Sequence, residues 1–144
     1  MSQFSVSVSI NRSREEVFDF ISDPATKHTW MPMLESAAWT SSGEPGVGST
    51  MMAIMKMGGK ETEMQLEITQ WDAPDRYGYK ILTVLFPLKA MAHTFRLEPE
   101  DGGTRVSQVG EFEMVSILRF AAGLMGKVAS KMNQNELNTA KQLL

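Results

Sequence analysis

Cysteine is absent from the 144 residues, which excludes disulfides, thiolate metal sites and cysteine nucleophiles and ties the fold to no oxidising compartment. A cationic excess is missing too. The formal net charge is -3 and Lys and Arg are scattered, so neither a phosphate backbone nor an anionic membrane surface is an expected partner. Only two histidines occur, His28 and His93, too far apart for an HxxxH helical pair, and no metal site is expected. Long apolar runs are lacking as well. The longest uncharged apolar stretch near the C-terminus, residues 120–126, is far too short to cross a bilayer. The opening MSQFSVSVSINR has no basic region followed by an apolar core, so it does not read as a secretory signal. A cytoplasmic location with no cofactor is the expectation.

What is present suits a soluble chain with one core. Hydrophobic residues make up 42% and charged residues 22%, and a chain of this length buries roughly two-thirds of its unfolded surface. No repeat, low-complexity tract or linker divides it, so residues 1–144 are expected to form a single domain.

Phe4, Val6, Val8 and Ile10 alternate with serines, the period of a half-buried strand. Ser13-Arg14-Glu15-Glu16 fits a capping box, with Val17, Phe20 and Ile21 as the buried side of the helix it starts and Asp23-Pro24 as its end. A second short helix is expected over residues 25–31, stopped before Pro32. Strands follow over 34–40 and 49–57. Gly58-Gly59 then reads as a two-residue hairpin turn, because such turns need positive φ. That turn sets Lys56 opposite Glu61, Met55 opposite Thr62, Ala53 opposite Met64 and Met51 opposite Leu66. Met51, Ala53, Met55, Met64, Leu66 and Ile68 therefore share an inner face, while Lys56, Glu61, Glu63 and Glu67 face outward with Met52 and Ile54.

Residues 71–76 read as a loop and 77–84 as a strand with Tyr77, Tyr79 and Ile81 inward. Phe86-Pro87 breaks the pattern. Strands over 89–99 and 104–114, joined through Gly102-Gly103, place Met91, His93, Phe95 and Leu97 on the same face as Val106, Gln108, Gly110 and Phe112. The C-terminal stretch from Ile117 to Leu144 is one long helical pattern: Ile117, Ala121, Leu124, Val128 and Met132 form a face that Leu118, Met125, Ala129, Leu137, Ala140 and Leu144 broaden. Gly123 and Gly126 interrupt it, either as a flexible entrance or as the sign that the helix proper begins near Lys127. The fold class is α+β, an antiparallel sheet with one face in need of cover and a terminal helix to supply it.

These residues resemble the START-like helix-grip superfamily, in particular its polyketide cyclase/dehydrase and lipid-transport branch. The resemblance rests on Val8-Ser9-Ile10 running into residues 13–20, Asp23 with Trp30-Met31-Pro32, Gly46-Val47-Gly48, Trp71 with Pro74 and Arg76, Gly103-Thr104-Arg105-Val106, and the terminal helix. It implies a curved antiparallel sheet of about seven strands gripping the C-terminal helix, with two short helices after the first strand and a hydrophobic cavity between sheet and helix. It carries over no catalytic residue, because the superfamily shares none.

Within such a cavity the candidate ligand contacts are Met51, Met55, Met64, Leu66, Tyr77, Tyr79, His93, Phe95, Gln108 and Phe112 from the sheet and Leu124 and Val128 from the helix. Unbranched, polarizable methionines adapt to ligands of varied shape as readily as they fill a core. Met51, Met52, Met55 and Met57 have the look of a thioether copper site, but Met52 faces away from Met51 and Met55 and neither cysteine nor a nearby histidine completes it. His93, beside Gln108 on an apolar face, suits a residue that orients or deprotonates a ligand, or else a core histidine satisfied by its neighbours. Three functions follow as alternatives: binding of a small hydrophobic molecule such as a lipid, quinone or polyketide-like aromatic; an aromatase, cyclase or dehydrase with His93 moving protons, aided by Tyr77 or Tyr79; or an interaction module, with a homodimer through the Met52 and Ile54 face as one form.

Overall fold

The outermost strand begins at Ser2, and its alternating pattern buries Phe4, Val6, Val8 and Ile10 as the spacing requires. In the computed structural model, which describes residues 2–144, seven antiparallel strands form one sheet in the order β1-β7-β6-β5-β4-β3-β2. They are β1 (Ser2–Ile10), β2 (Leu34–Trp39), β3 (Thr50–Met57), β4 (Lys60–Asp72), β5 (Arg76–Ile81), β6 (Leu88–Glu100) and β7 (Gly103–Met114). The helices are α1 (Arg14–Ser22), α2 (Lys27–Trp30) and α3 (Ala122–Leu143), with 3-10 turns at Pro24–Thr26 and Ser116–Ala121.

Turn chemistry sets the registers. Gly58 and Gly59 adopt φ of 57° and 82°, a conformation that only glycine enters at little cost. The four pairs that this turn dictates between β3 and β4 all form. Gly102, at φ 81°, closes the β6–β7 hairpin so that Glu100 pairs with Gly103, Phe95 with Gln108, and His93 with Gly110. Both hairpins thus aim the expected side chains at the concave face.

The helices follow the sequence less closely. Ser13 caps α1, its hydroxyl accepting the Glu16 amide at 3.2 Å, but the Glu16 carboxylate takes the Ser13 hydroxyl instead of reaching the Ser13 amide. Phe18 is buried on α1 beside Val17 and Ile21, whereas Phe20 is half-buried. The second short helix is split. Pro24 at the first helical position and the Asp23 carboxylate, which accepts the Ala25 amide at 2.9 Å, start a 3-10 turn before the single turn of α2. Trp71 and Asp72 belong to β4, and β5 ends at Ile81, three residues before the expected limit.

The largest correction concerns the terminal helix. Ile117, Leu124 and Val128, expected to face the sheet, are 80%, 67% and 55% exposed. The buried positions of α3 are Ala129, Asn133, Glu136, Leu137 and Ala140, with Met125 packed on the core. A 3-10 turn winds at 3.0 residues per turn, so an apolar phase carried across Ser116–Ala121 at 3.6 residues per turn arrives on the wrong side. The break therefore lies between Ala121 and Ala122. Gly123 and Gly126 sit inside α3, and the helix starts five residues before Lys127.

α3 lies chiefly over β1, where Leu137 and Ala140 share a buried core with Val6, Val8, Leu97 and Val106. Its first half diverges over β3–β6 and leaves a space there. Gly110 matters to this packing, because a Cβ on it would stand 2.2 Å from the Phe4 ring, and Phe4 in turn packs edge-on to His93 at 5.9 Å between centroids.

Candidate functional site

The space between sheet and helix is a cavity of about 660 Å3, within the range of small-molecule sites. Of the chain's twelve methionines, Met31, Met33, Met55, Met57, Met64, Met91, Met125 and Met132 line it. This wall owes its softness to residues on the α2–β2 connection, β3, β4, β6 and α3 together. Met57, Val84, Phe86 and Val128 are exposed at its rim, where the hairpin tip of β3–β4 meets the β5–β6 loop and α3. That loop is held to the chain before α3 by the Val115 amide, which donates to the Pro87 carbonyl at 3.0 Å.

Seven of the sequence-derived contacts line the cavity: Met55, Met64, Leu66, Tyr79, His93, Phe112 and Val128. Five do not. Met51, Tyr77 and Phe95 are fully buried in the core beneath it, where Tyr77 stacks on Phe95 at 5.7 Å and Trp30 meets Phe95 edge-on at 6.4 Å. Gln108 lies behind His93, and Leu124 points to solvent.

A chain of hydrogen bonds settles how His93 presents itself. The Asn133 amide nitrogen donates to the Ala129 carbonyl one turn back at 2.7 Å, so its oxygen faces Gln108. Gln108 Nε2 donates to that oxygen at 2.9 Å and also lies 3.0 Å from His93 Nδ1. An amide NH2 has two protons to give and no lone pair to accept with. His93 Nδ1 is therefore the acceptor, and its proton sits on Nε2, the nitrogen left for a ligand. Burial, and then the nearby Lys27, push the imidazole down to about 4, which keeps it neutral at physiological pH. His93 offers a ligand an N–H donor and no free base.

Three further polar groups on the wall were not legible as such: Lys27, Asn133 and Glu136. Lys27 is 2% exposed. Its ammonium donates to the Ile21 carbonyl at 3.1 Å and stands over the rings of Tyr77, Tyr79 and Trp30 at 5.1, 5.4 and 5.8 Å. Among the described residues no carboxylate forms an ion pair with it. Burial draws its pKa down to about 7, against the pull of Asp23 and Glu136. Burial likewise lifts Glu136 to about 7, with Lys27 opposing. Burial raises both Tyr77 and Tyr79, so they stay protonated. The cavity thus holds one amine and one carboxyl that change charge near neutrality, beside the neutral donors His93 and Tyr79. One signal could have found the helix pair. Asn133 falls at the vacant step of the Met125, Ala129, Leu137 spacing, and Glu136 flanks it.

The His93 shift has a testable sign. A folded pKa of about 4, below the ordinary 6.5, means stability is full above 6.5 and is lost as pH falls toward 4. Glu136, raised from 4.5 to about 7, acts oppositely and restores stability over pH 7 to 4.5. Comparison with His93→Gln separates the two. Urea unfolding should show the unsubstituted protein losing about 2 kcal/mol relative to the variant between pH 7 and 4.5; parallel profiles would contradict the buried neutral imidazole.

A curved seven-stranded antiparallel sheet around a long C-terminal helix, with an internal cavity between them, defines a helix-grip protein. The family model for polyketide cyclase/dehydrase and lipid transport matches residues 1–144, and the chain belongs to that family. No curated protein matches the sequence. Among solved structures it is similar to the di-domain aromatase/cyclase BexL (TM-score 0.82, 14% identity, covering 99% of this chain and 46% of that one). The chain spans about half the length of that di-domain protein. It is also similar to a protein of Thermus thermophilus (0.78, 17% identity, 98% and 95%) and to the Zhui aromatase/cyclase from Streptomyces (0.78, 14% identity, 98% and 92%). At such identities the likeness is one of fold. Within the described residues, no helix is long and apolar enough to cross a membrane.

Proposed function

We propose that this chain binds one small amphipathic lipophile, its apolar body along the methionine wall and its polar end against Lys27, Tyr79, His93 and Glu136. The observation that carries this reading is the gradient within the cavity: those four groups are buried, while the rim is made of exposed Met57, Val84, Phe86 and Val128. Three of the four present donors, so the favoured polar end is rich in acceptors, such as a carbonyl. Members of the family range from carriers to cyclases, and both uses begin with such binding. Native mass spectrometry of delipidated protein against matched lipophiles tests it. One equivalent should be retained by an alkyl ketone, and less by the alkane of equal length. No retention of any lipophile at micromolar concentration would end the reading.

A second reading, cyclase-type chemistry, is favoured by Lys27 and Glu136. A carboxyl and an amine poised near neutrality can remove and return protons at a carbon next to a ketone. In that case Glu136 is the base, and His93 with Lys27 steadies the developing oxyanion. Glu136→Gln should then abolish turnover of a polyketone while leaving its binding largely intact.

A further inference from the structure

Lys27 is the only one of the eight lysines that is buried; the other seven are exposed. It reaches the cavity from α2, a single helical turn packed against β2 and α3. Its amine has one hydrogen-bond acceptor, the Ile21 carbonyl, and three aromatic faces around it. A purely structural lysine in such a place is expected to sit in an ion pair, since an unpaired buried charge is costly. None is formed. Lysine amines freed of their proton by burial act as carbonyl nucleophiles, and the cavity in front of this one has room for a lipophile.

We propose that Lys27 is a covalent site for carbonyl lipophiles, its Nζ condensing with a ligand aldehyde or ketone in the cavity to form a reversible imine. This deepens the binding reading above and rests on it. The unprotonated amine attacks the carbonyl carbon; the C–N bond forms as the C–O π pair moves to oxygen, and one of the two nitrogen protons passes to that oxygen, which restores the nitrogen lone pair. The resulting carbinolamine loses its oxygen as water, the C–O bond breaking while the nitrogen lone pair forms C=N, and the remaining N–H proton leaves. Nothing is oxidised or reduced. Glu136, on the opposing wall, is placed to supply the proton that departs with water and to receive the one left on nitrogen. The charged and titratable groups around Lys27 are Asp23 at the N-cap of the 3-10 turn, Glu136 on α3, His93 on β6, and Tyr77 and Tyr79 on β5. Glu136 changes charge in the same range as Lys27, so Glu136→Gln should shift the pH profile of the reaction and slow it.

The test is reductive trapping of the full chain with decanal and cyanoborohydride, with adduct sites read by peptide mass mapping. At pH 7 one decyl group should enter at Lys27 roughly 100-fold faster than at any exposed lysine, because burial favours the unprotonated form of the Lys27 amine. The Lys27 rate should rise with pH to a plateau above about 7. Decanol, which fills the cavity without a carbonyl, should suppress it. Lys27→Met should lose the adduct. Since that variant can fail to fold, decanol protection in the unsubstituted protein is the independent check. Adducts spread over surface lysines, or labelling of Lys27 that decanol leaves unchanged, would overturn the imine and leave the cavity reading standing. Failure of both decanol and decanal to bind would overturn both.

Discussion

Ala53→Trp should abolish lipophile binding while leaving the protein folded. Ala53 is 1% exposed on the concave face of β3, between Ala37 on one neighbour and Met64 on the other, and it lines the cavity. Side chains stand perpendicular to a sheet, so the indole would project into the 660 Å3 space where the apolar body of the ligand is proposed to lie. Tryptophan is at ease in strands, and the empty volume spares the core the overpacking that such a change normally causes. Affinity is expected to fall roughly 100-fold or more, about 3 kcal/mol. Isothermal titration with a ketone lipophile, beside an unchanged far-ultraviolet dichroism spectrum, checks it. Undiminished affinity would place the ligand elsewhere.

Gly103→Ala is expected to have the largest effect on the fold. A Cβ there would stand 2.0 Å from the Ile10 carbonyl oxygen and 2.9 Å from the Asn11 Cα. Both are backbone atoms, the first at the end of β1, where Ile10 pairs with Thr104, and the second in the residue that follows, so no side chain can swing aside. Separation of β1 from β7 would also disturb the seat of α3. The expected cost is roughly 3 kcal/mol or more, with a fall in melting temperature on the order of 10 °C. Gly123→Ala makes the contrast. Nothing lies within 4 Å of its added Cβ and the position is inside α3, so the same substitution should stabilise by up to about 1 kcal/mol. Scanning calorimetry of the two variants reads both signs; a Gly103→Ala protein as stable as the parent would refute the close approach of β1 and β7.

The sheet could be read from the amino acids because its registers depend on local turn chemistry. Gly58-Gly59 fixed a parity, and parity alone decides which of Met51 or Met52, and which of Met64 or Gln65, faces inward. The same reasoning brought His93 and Gln108 together. The terminal helix was misread for a physical reason of equal simplicity. Six residues of 3-10 geometry shift the helical phase, and the stripe of Ile117, Leu124 and Val128 looked more convincing than the true one because Asn133 and Glu136 interrupt the latter. Those two residues and Lys27 join Tyr79 and His93 in the polar part of the cavity. A buried charged side chain has no sequence signal of its own; Lys27 is followed by His28, which is exposed, and nothing local distinguishes them. The tautomer of His93 was illegible for a related reason, since it depends on Asn133, forty residues away in sequence and adjacent in space.

The cavity's methionines supply the most direct measurement. With methionine methyl groups labelled with carbon-13, each gives its own proton–carbon correlation, and a ketone lipophile can be titrated against all of them at once. The account predicts that Met55, Met64, Met91 and Met125, on three strands and the helix around the cavity, shift together and saturate at one equivalent, while Met52 on the outer face of the β3–β4 hairpin and Met114 at the end of β7 stay in place. Shifts confined to exposed Met57, or no shift in the four wall methionines at saturating lipophile, would contradict it.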